Sequence, residues 1–385
     1  MKTERAARPP AVVVGAGLNG LGIVRSLGQV SVPCHLVESN AADPSVYTRF
    51  ATVHQVPSIA DGTLTDSLLQ LGEELGANPI LFLTQESGVS IVSANRERLA
   101  QRFHFNIPNQ EIVHQLTTKS GFQDSASRLG APIPRTKVLL EKEDLSSIEG
   151  FDFPVVFKPN THSSAYSANF RKAYRLNSIG EVKELYEKVY PVERSIVIQE
   201  WVDGLDSDIY FCLQYRKTGD EALMSFCGRK LKSHPPMTGG TASCTIAPQD
   251  MWHDLVELTN TYFKAAGVTG MCSMEFKKDP KTNRLVMIEP TIARSDYQEE
   301  VATWHGYNIP AVAYAHLAKQ AAFDAKPNNR TYVWKDAAAL RHYSKSSLEL
   351  VSQGSLGALF SWRDPAPWLY SAKSQVLRKI RGLAG

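Results

Sequence analysis

The sequence predicts a multidomain protein of mixed class, with an α/β opening domain built on a parallel, doubly wound sheet and α+β regions after it. Three observations carry this expectation. Over the first ~110 residues short apolar runs alternate with helix-spaced stretches, the signature of β-α-β units. From about Thr117 the texture changes to short amphipathic helices and strand pairs separated by turns. Hydrophobic residues make up 43% of the 385, enough for a sizeable core divided among two or three domains.

The elements follow in order. "AVVVGAG" and "PCHLVESN" read as strands, with a helix from about Leu18 to Leu27 between them. "TLTDSLLQLGEELGA" has helical apolar spacing, and "PILFLTQES" follows as a buried strand. "TTKSGFQDSASRLGAPIPRTKVLL" reads as a short helix, then a Gly-x-Pro-x-Pro link into a strand. Glu141 to Gly150 is charged, and either loop or helix. "FPVVFKPN" is a compact strand, and the polar "SSAYSANFRKAY" reads as a loop or hairpin. "SIGEVKELYEKVY" is helical, and "RSIVIQEWVDG" is a strand running into a turn. "DIYFCLQYRK" and "EALMSFCGRKLKS" predict antiparallel strands, followed by a loop "HPPMTGGTAS" and the helix "DMWHDLVELTNTYFKAAG". "GMCSMEFKKD" and "RLVMIEPT" are two more strands around the turn "DPKTN". Helical sequence then runs from Asp296 to about Ala325, before a tail rich in Trp and cations.

Composition narrows the function. A net charge of +3 is small for this length and argues against a dedicated nucleic-acid binder. Cys34, Cys212, Cys227, Cys244 and Cys272 stand far apart, with no Cys-x-x-Cys, so reduced thiols and no structural zinc are expected. The start imitates a signal peptide, but Gly15, Gly17 and Asn19 break its apolar run. No segment reaches ~18 consecutive apolar residues, so no membrane span is expected and the location read is cytoplasmic.

Gly15-x-Gly17-x-x-Gly20 has the spacing of a dinucleotide-binding turn, with Glu38 about where a ribose-binding acid would stand. The plain alternative is a tight β-α turn that needs glycine for close packing. No hydride-transfer centre follows: there is no Tyr-x-x-x-Lys and no arranged Cys/His pair.

More specific residues come later. Lys119 precedes a helix, and Lys158 ends the strand "VVFKP". "QEWVDG" spans Gln199 to Gly204, with Asp206 and Asp208 just after. Glu275 lies on one strand and Glu289 on the next. Two lysines on one side can neutralise nucleotide phosphates, and two glutamates opposite can hold a hard cation through oxygen. The strand end Glu200, Trp201 and Val202 offers backbone groups to an adenine edge, and an acid such as Asp208 can reach ribose hydroxyls.

As an ordered set, "K…GxPxPxT…FPVVFKP…QEWVDG…MEF…IEP" resembles the ATP-grasp superfamily, over about residues 10 to 320. "GRKLKSHPPMTGGTAS", "IEPTIARSDYQ" and the tail "LFSWRDPAPWL" resemble its carboxylate–amine ligase branch, which includes D-aspartate ligase-like proteins. The resemblance implies a Rossmann-like pre-ATP-grasp domain (1–112), a small lid (113–200), a larger ATP- and metal-binding part (201–325) and a C-terminal extension (326–385). It also implies that the glycine-rich turn shapes the acceptor side.

By the same resemblance, ATP and magnesium (or manganese) are the cofactors. Lys119 and Lys158 bind phosphates, Gln199, Glu200, Trp201, Val202 and Asp208 hold the nucleoside, and Glu275, Glu289 and Thr291 bind metal. Arg294, with Arg229 and Lys230, stabilises the transferring phosphoryl group and the substrate carboxylate. Thr291 departs from the family pattern, which has Asn there, and Arg294 is shifted. The implied partners are a small-molecule carboxylate and an amine, with an amino acid, an amino sugar and a peptidoglycan stem as open choices, and a second copy of the chain. Three alternatives stand beside ligation: a carboxylate–thiol ligase, a non-catalytic nucleotide-binding protein, and a dinucleotide-dependent oxidoreductase.

Plainer readings belong to other residues. His162, Ser163 and Ser164 have no acid partner at useful spacing and read as polar loop. Trp201 is either an adenine-edge residue or core. Trp362, Trp368 and "RKIRG" allow contact with a membrane or an anionic polymer, and are expected instead to pack on the body ahead of a solvated last helix.

Overall fold

The computed structural model describes residues 8–76, 78–161, 163–218, 222–237, 239–296, 298–340, 343 and 355–383; His162 lies outside them. The opening unit runs β1 (Ala11–Val14), α1 (Gly17–Gly28), β2 (Cys34–Glu38), β3 (Thr52–Gln55), α2 (Thr63–Leu75), β4 (Ile80–Leu83), α3 (Glu86–Ala94), α4 (Arg96–Leu99) and α5 (Gln110–Leu116). Every pairing is parallel, in the order β3-β2-β1-β4. "AVVV" and "ILFL" are buried at every position, as strands covered on both faces must be. The chain order reverses beside β1, so a crevice opens past the carboxyl ends of β1 and β4. "PILFLTQES" is strand only to Leu83, because Glu86 already begins α3.

A second unit follows with α6 (Lys119–Arg128), β5 (Thr136–Leu139), β6 (Val155–Pro159), α7 (Ser164–Asn169), β7 (Tyr174–Leu176), α8 (Ile179–Val189) and β8 (Ile196–Glu200). Its four strands are antiparallel in the order β5-β8-β6-β7. "SSAYSANFRKAY" is loop only in part: it holds the short helix α7 and then a loop, 170–173, that leads into β7. Ser163 caps α7 by accepting from the Tyr166 N–H, and Tyr166 is buried, so one cap and one aromatic anchor outweigh the polar composition. Phe157, Tyr186 and Ile198 lie in a core private to this unit.

The third part holds β9 (Ile209–Arg216), β10 (Ala222–His234), β11 (Gly240–Ile246), α9 (Trp252–Ala265), β12 (Gly270–Lys278), β13 (Leu285–Ile292), α10 (Glu299–Trp304), α11 (Ile309–Leu317), β14 (Val333–Lys335), α12 (Ala337–Leu340), β15 (Ser355–Gly357) and α13 (Ala366–Leu383). The sheet order is β13-β12-β9-β10-β11-β14-β15, antiparallel except for the last pair. Central strand β9 is buried throughout and feeds both faces. Tyr210 and Cys212 join α9 and one face of the opening sheet, whereas Phe211, Leu213 and Tyr215 join the other face. The opening unit and the large sheet therefore share two continuous cores. The expected loop "HPPMTGGTAS" is half strand: β10 runs to His234 and β11 begins at Gly240. Asp206 pins that turn by accepting from the Ser233 and Met237 N–H groups.

The segment before α13 is tied to α1. Buried Arg25 donates to Asp364 at 3.0 Å and to the carbonyls of Ala358 and Leu359, both at 2.9 Å. Asp364 also accepts from the Thr48 hydroxyl and the Arg49 N–H. A second carboxylate, Glu300, stands 3.6 Å from the same guanidinium, so losing Asp364 strips hydrogen bonds from a buried charge that keeps one counter-ion, at a cost of about 1–3 kcal/mol. Asp364→Ala is therefore expected to lower stability by that amount in chemical denaturation; a loss under about 0.5 kcal/mol would show that the tie is dispensable.

Candidate active site

The cleft lies where the small sheet and α6 face the β12–β13 edge of the large sheet. Thr118 caps α6 by accepting from the Gly121 N–H, which sets Lys119 at the first turn with its Nζ 3.4 Å from the Asn160 carbonyl. Lys158, on β6, points inward and donates to Gln199 Oε1 at 3.1 Å. Gln199 in turn donates to the Thr136 hydroxyl at 3.0 Å. Opposite these, Glu275 and Glu289 are direct cross-strand partners on β12 and β13, so both carboxylates leave the same face.

Electrostatics bind the two sides together. Burial pushes the Lys158 ammonium down to about 8, helped by Lys119 and Lys172 and opposed by Glu289 and Glu275. Lys119 is lowered by burial and by Lys172, with Glu289 and Glu86 opposing. Enclosure raises the Glu289 carboxyl, but Lys172, Lys119, Lys158 and Arg294 outweigh it and hold the pKa below the ordinary value. Glu289 lies deep among these cations yet stays open to solvent, the exposure a side chain has in a cleft. It makes no hydrogen bond or close ion pair with a described residue, so its oxygens are available. Glu275 is already paired, 3.0 Å from buried Lys230.

Two facing carboxylates and the Thr291 hydroxyl, two residues beyond Glu289 on β13, form an oxygen donor set suited to a hard cation. Among the described residues there is no group of three or more His, Cys, Asp or Glu that could cage a metal alone.

A cavity of about 140 Å³ continues from the lysines between the sheets, lined by Glu200, Trp201, Val202, Ile209, Lys277 and Ile288 among others. Trp201 is a lining residue rather than core. The Arg175 guanidinium and Lys277 ammonium lie 5.3 Å and 5.8 Å from its ring centroid. The Glu200 carboxylate stands 3.9 Å from Arg135, at the edge.

Toward the opening unit the cleft ends at Glu86, Thr117, Thr118, Thr291 and Arg294. Arg294 is 3.3 Å from Glu86, the first residue of α3. Ala293 turns the chain with a left-handed φ of 59°, and Ser295 docks on β4 by donating its N–H to the Leu83 carbonyl. Asn19, in the glycine-rich turn, bonds the carbonyls of Thr84 and Ser295. The glycine motif therefore braces the segment that carries Arg294.

Two sequence expectations do not reach the cleft. Arg229 is adjacent to Lys230 on β10, so pleating sends it to the opposite face, where it donates to the Ser207 carbonyl and lies over Tyr210. Asp208 accepts from the Leu205 N–H at 2.7 Å within its own turn and does not line the cavity. Glu38 is likewise not free for a ribose: its carboxylate accepts from the N–H groups of Ala16, Ser39 and Asn40. Three charged lining residues have no counterpart among the sequence expectations: Lys172, Lys277 and Glu86. Lys172 sits in a stretch read as loop, and Lys277 follows Glu275 at strand spacing, which was the available signal.

This arrangement of a doubly wound opening unit, a small antiparallel sheet and a large antiparallel sheet enclosing a lysine–glutamate cleft is the ATP-grasp fold. Among solved structures the chain is similar to an N5-carboxyaminoimidazole ribonucleotide synthetase with ADP (TM-score 0.68, 11% identity, covering 90% of this chain and 86% of that one). It is also similar to biotin carboxylase from Campylobacter jejuni (0.65, 14%, 84% and 74%) and to the L-amino acid ligase from Bacillus licheniformis (0.63, 15%, 85% and 79%). By sequence it resembles the carbamoyl phosphate synthase large chains of Micrococcus luteus (24% identical over 340 residues) and Thermus thermophilus (25% over 337), each across 81% of this chain. The chain spans only 28% and 30% of those relatives' length. No family model matches it.

Proposed function

We propose that the chain is an ATP-dependent carboxylate–amine ligase that forms an amide through an acylphosphate and acts in the cytoplasm. The observation that carries this reading is the convergence of Lys119, Lys158 and Lys172 on the Glu275–Glu289 pair, in a fold whose solved neighbours include ADP complexes. A carboxylate oxygen of the acid attacks the γ-phosphorus and ADP leaves. The amine nitrogen then attacks the acyl carbon, phosphate leaves, and the nitrogen gives its proton to solvent. Such transfers depend on positioning and charge neutralisation, which this cleft offers.

Lys119 and Lys158 hold the α- and β-phosphates, and Lys172 adds a third cation from the lid, as the small sheet becomes in this reading. The backbone from Glu200 to Val202 meets the adenine edge, with Trp201 and Ile288 as walls and Gln199 fixing Lys158. Glu275, Glu289 and Thr291 would hold magnesium or manganese, which would supply charge neutralisation for the phosphates. Lys230 orients Glu275, and Arg294, balanced by Glu86, receives the acid's carboxylate. We assign the domain limits 1–112, 113–200, 201–325 and 326–385, with the first limit moved to Leu116 so that α5 stays whole. An amino acid is the acid we favour, given the D-aspartate ligase-like motifs and the L-amino acid ligase neighbour. The amine is an amino sugar or a peptidoglycan stem, and the working form is a homodimer.

The test is ADP release from Mg-ATP over a panel of amino acids, dicarboxylic acids and bicarbonate, which the Hydrogenobacter thermophilus neighbour holds with MgADP. The control is the Lys158→Ala, Glu289→Ala double variant. Release that depends on one acid and disappears in the control is expected. Release that depends on a thiol but on no amine would transfer the assignment to carboxylate–thiol ligation. ATP binding with silence across the panel would favour a non-catalytic protein.

A further inference from the structure

Helix α13 sits on the body by its side of mixed polarity. Tyr370 stacks on Tyr47 with ring centroids 4.0 Å apart, Pro367 is buried, and Ser371 and Ser374 are half-buried. The apolar side faces out: Trp368 is 44% exposed, Leu369 54%, Val376 57% and Leu377 44%. At 3.6 residues per turn these four fall within about half the helix circumference. A helix docked on a globular body normally shows the reverse orientation. Trp362, 86% exposed, continues the surface, since Trp362 and Trp368 both pack on Phe360 with centroids 5.0 Å and 5.5 Å from it.

The charge on this element is one-sided. "APWLYSAKSQVLRKIRGL" contains Lys373, Arg378, Lys379 and Arg381 and no Asp or Glu, so a chain of net charge +3 carries four cations on this one helix. Tryptophan and aliphatic residues on one face of an acid-free cationic helix match the interface of an anionic bilayer. A second copy fits poorly, because a two-fold contact would set two cationic helices against each other. None of the described helices is long and apolar enough to cross a membrane, so the geometry is that of a helix lying on the surface.

We propose that α13 and Trp362 form a reversible docking surface for anionic lipid. This inference stands independently of the ligase reading. The experiment is co-sedimentation of the full chain with vesicles of equal phosphatidylglycerol and phosphatidylcholine, against pure phosphatidylcholine. Binding to the mixed vesicles at least about tenfold higher is expected, weakening with salt. The variant Trp362→Ser, Trp368→Ser, Leu369→Ser should lose it while keeping the parent's melting temperature, because all three side chains are exposed. Equal sedimentation of parent and variant, or none of the parent with either vesicle, would overturn the proposal. So would a parent dimer that the variant converts to monomer without any vesicle binding, which would make the surface a self-contact.

Discussion

Replacing Lys158 by methionine is expected to weaken ATP binding and raise the melting temperature at neutral pH together. The ammonium sits on β6 with its pKa pushed down to about 8, chiefly by burial and then by Lys119 and Lys172. The unfolded chain titrates this group at its ordinary 10.5. Between pH 8 and 10.5 the unfolded state holds more protons, so the parent gains stability as pH rises through that window. Below pH 8 the cost of the charged lysine is fully present, and methionine removes it. The relief is roughly 2–3 kcal/mol, reduced by the lost bond to Gln199, and amounts to a melting shift of a few degrees. The gap between variant and parent should close above pH 10. ATP affinity should fall about 100-fold, the equivalent of about 2.7 kcal/mol. A variant less stable than the parent at pH 7, with ATP binding intact, would make Lys158 a structural residue.

Glu289→Gln should cost about 10³ in metal-dependent turnover, the size of effect seen when one preorganised charge is removed from a transition state. Its second readout is binding. Glutamine leaves Lys119, Lys158, Lys172 and Arg294 without the carboxylate that balances them. ATP should therefore bind more tightly to the variant than to the parent in EDTA, and magnesium should no longer improve its affinity. The Lys158 titration should also move below 8, since Glu289 is the main group raising it. Calorimetry with and without magnesium, at two pH values, checks all three. Unchanged magnesium dependence would remove Glu289 from the metal site.

Much of this architecture is legible in the chain because its signals are local. Uninterrupted apolar runs such as "AVVV" and "ILFL" announce buried parallel strands, and Glu275 and Glu289 stand on adjacent strands around a short turn. The misreadings have equally specific causes. Arg229 and Lys230 were both placed at the cleft, although successive strand residues face opposite ways. Asp208 was read by its distance from Trp201, but a short polar side chain beside Gly204 closes its own turn first. Lys172 and Glu86 reach the site only through tertiary folding, from a segment of plain polar composition and from the start of a helix. Trp362 and Trp368, expected from composition to pack on the body, are exposed instead, because composition does not say which way a helix is turned.

The left-handed backbone at Ala293 has a consequence for how this family of chains can drift. An alanine accepts that conformation at a cost of order 1 kcal/mol, and glycine or asparagine would sit there more easily. A β-branched residue would not, because its second branch collides with the backbone in that region. Among descendants of this chain, position 293 is thus a narrow gate: substitutions pass or fail by backbone geometry alone. Those that fail would misaim Arg294 without touching the arginine itself.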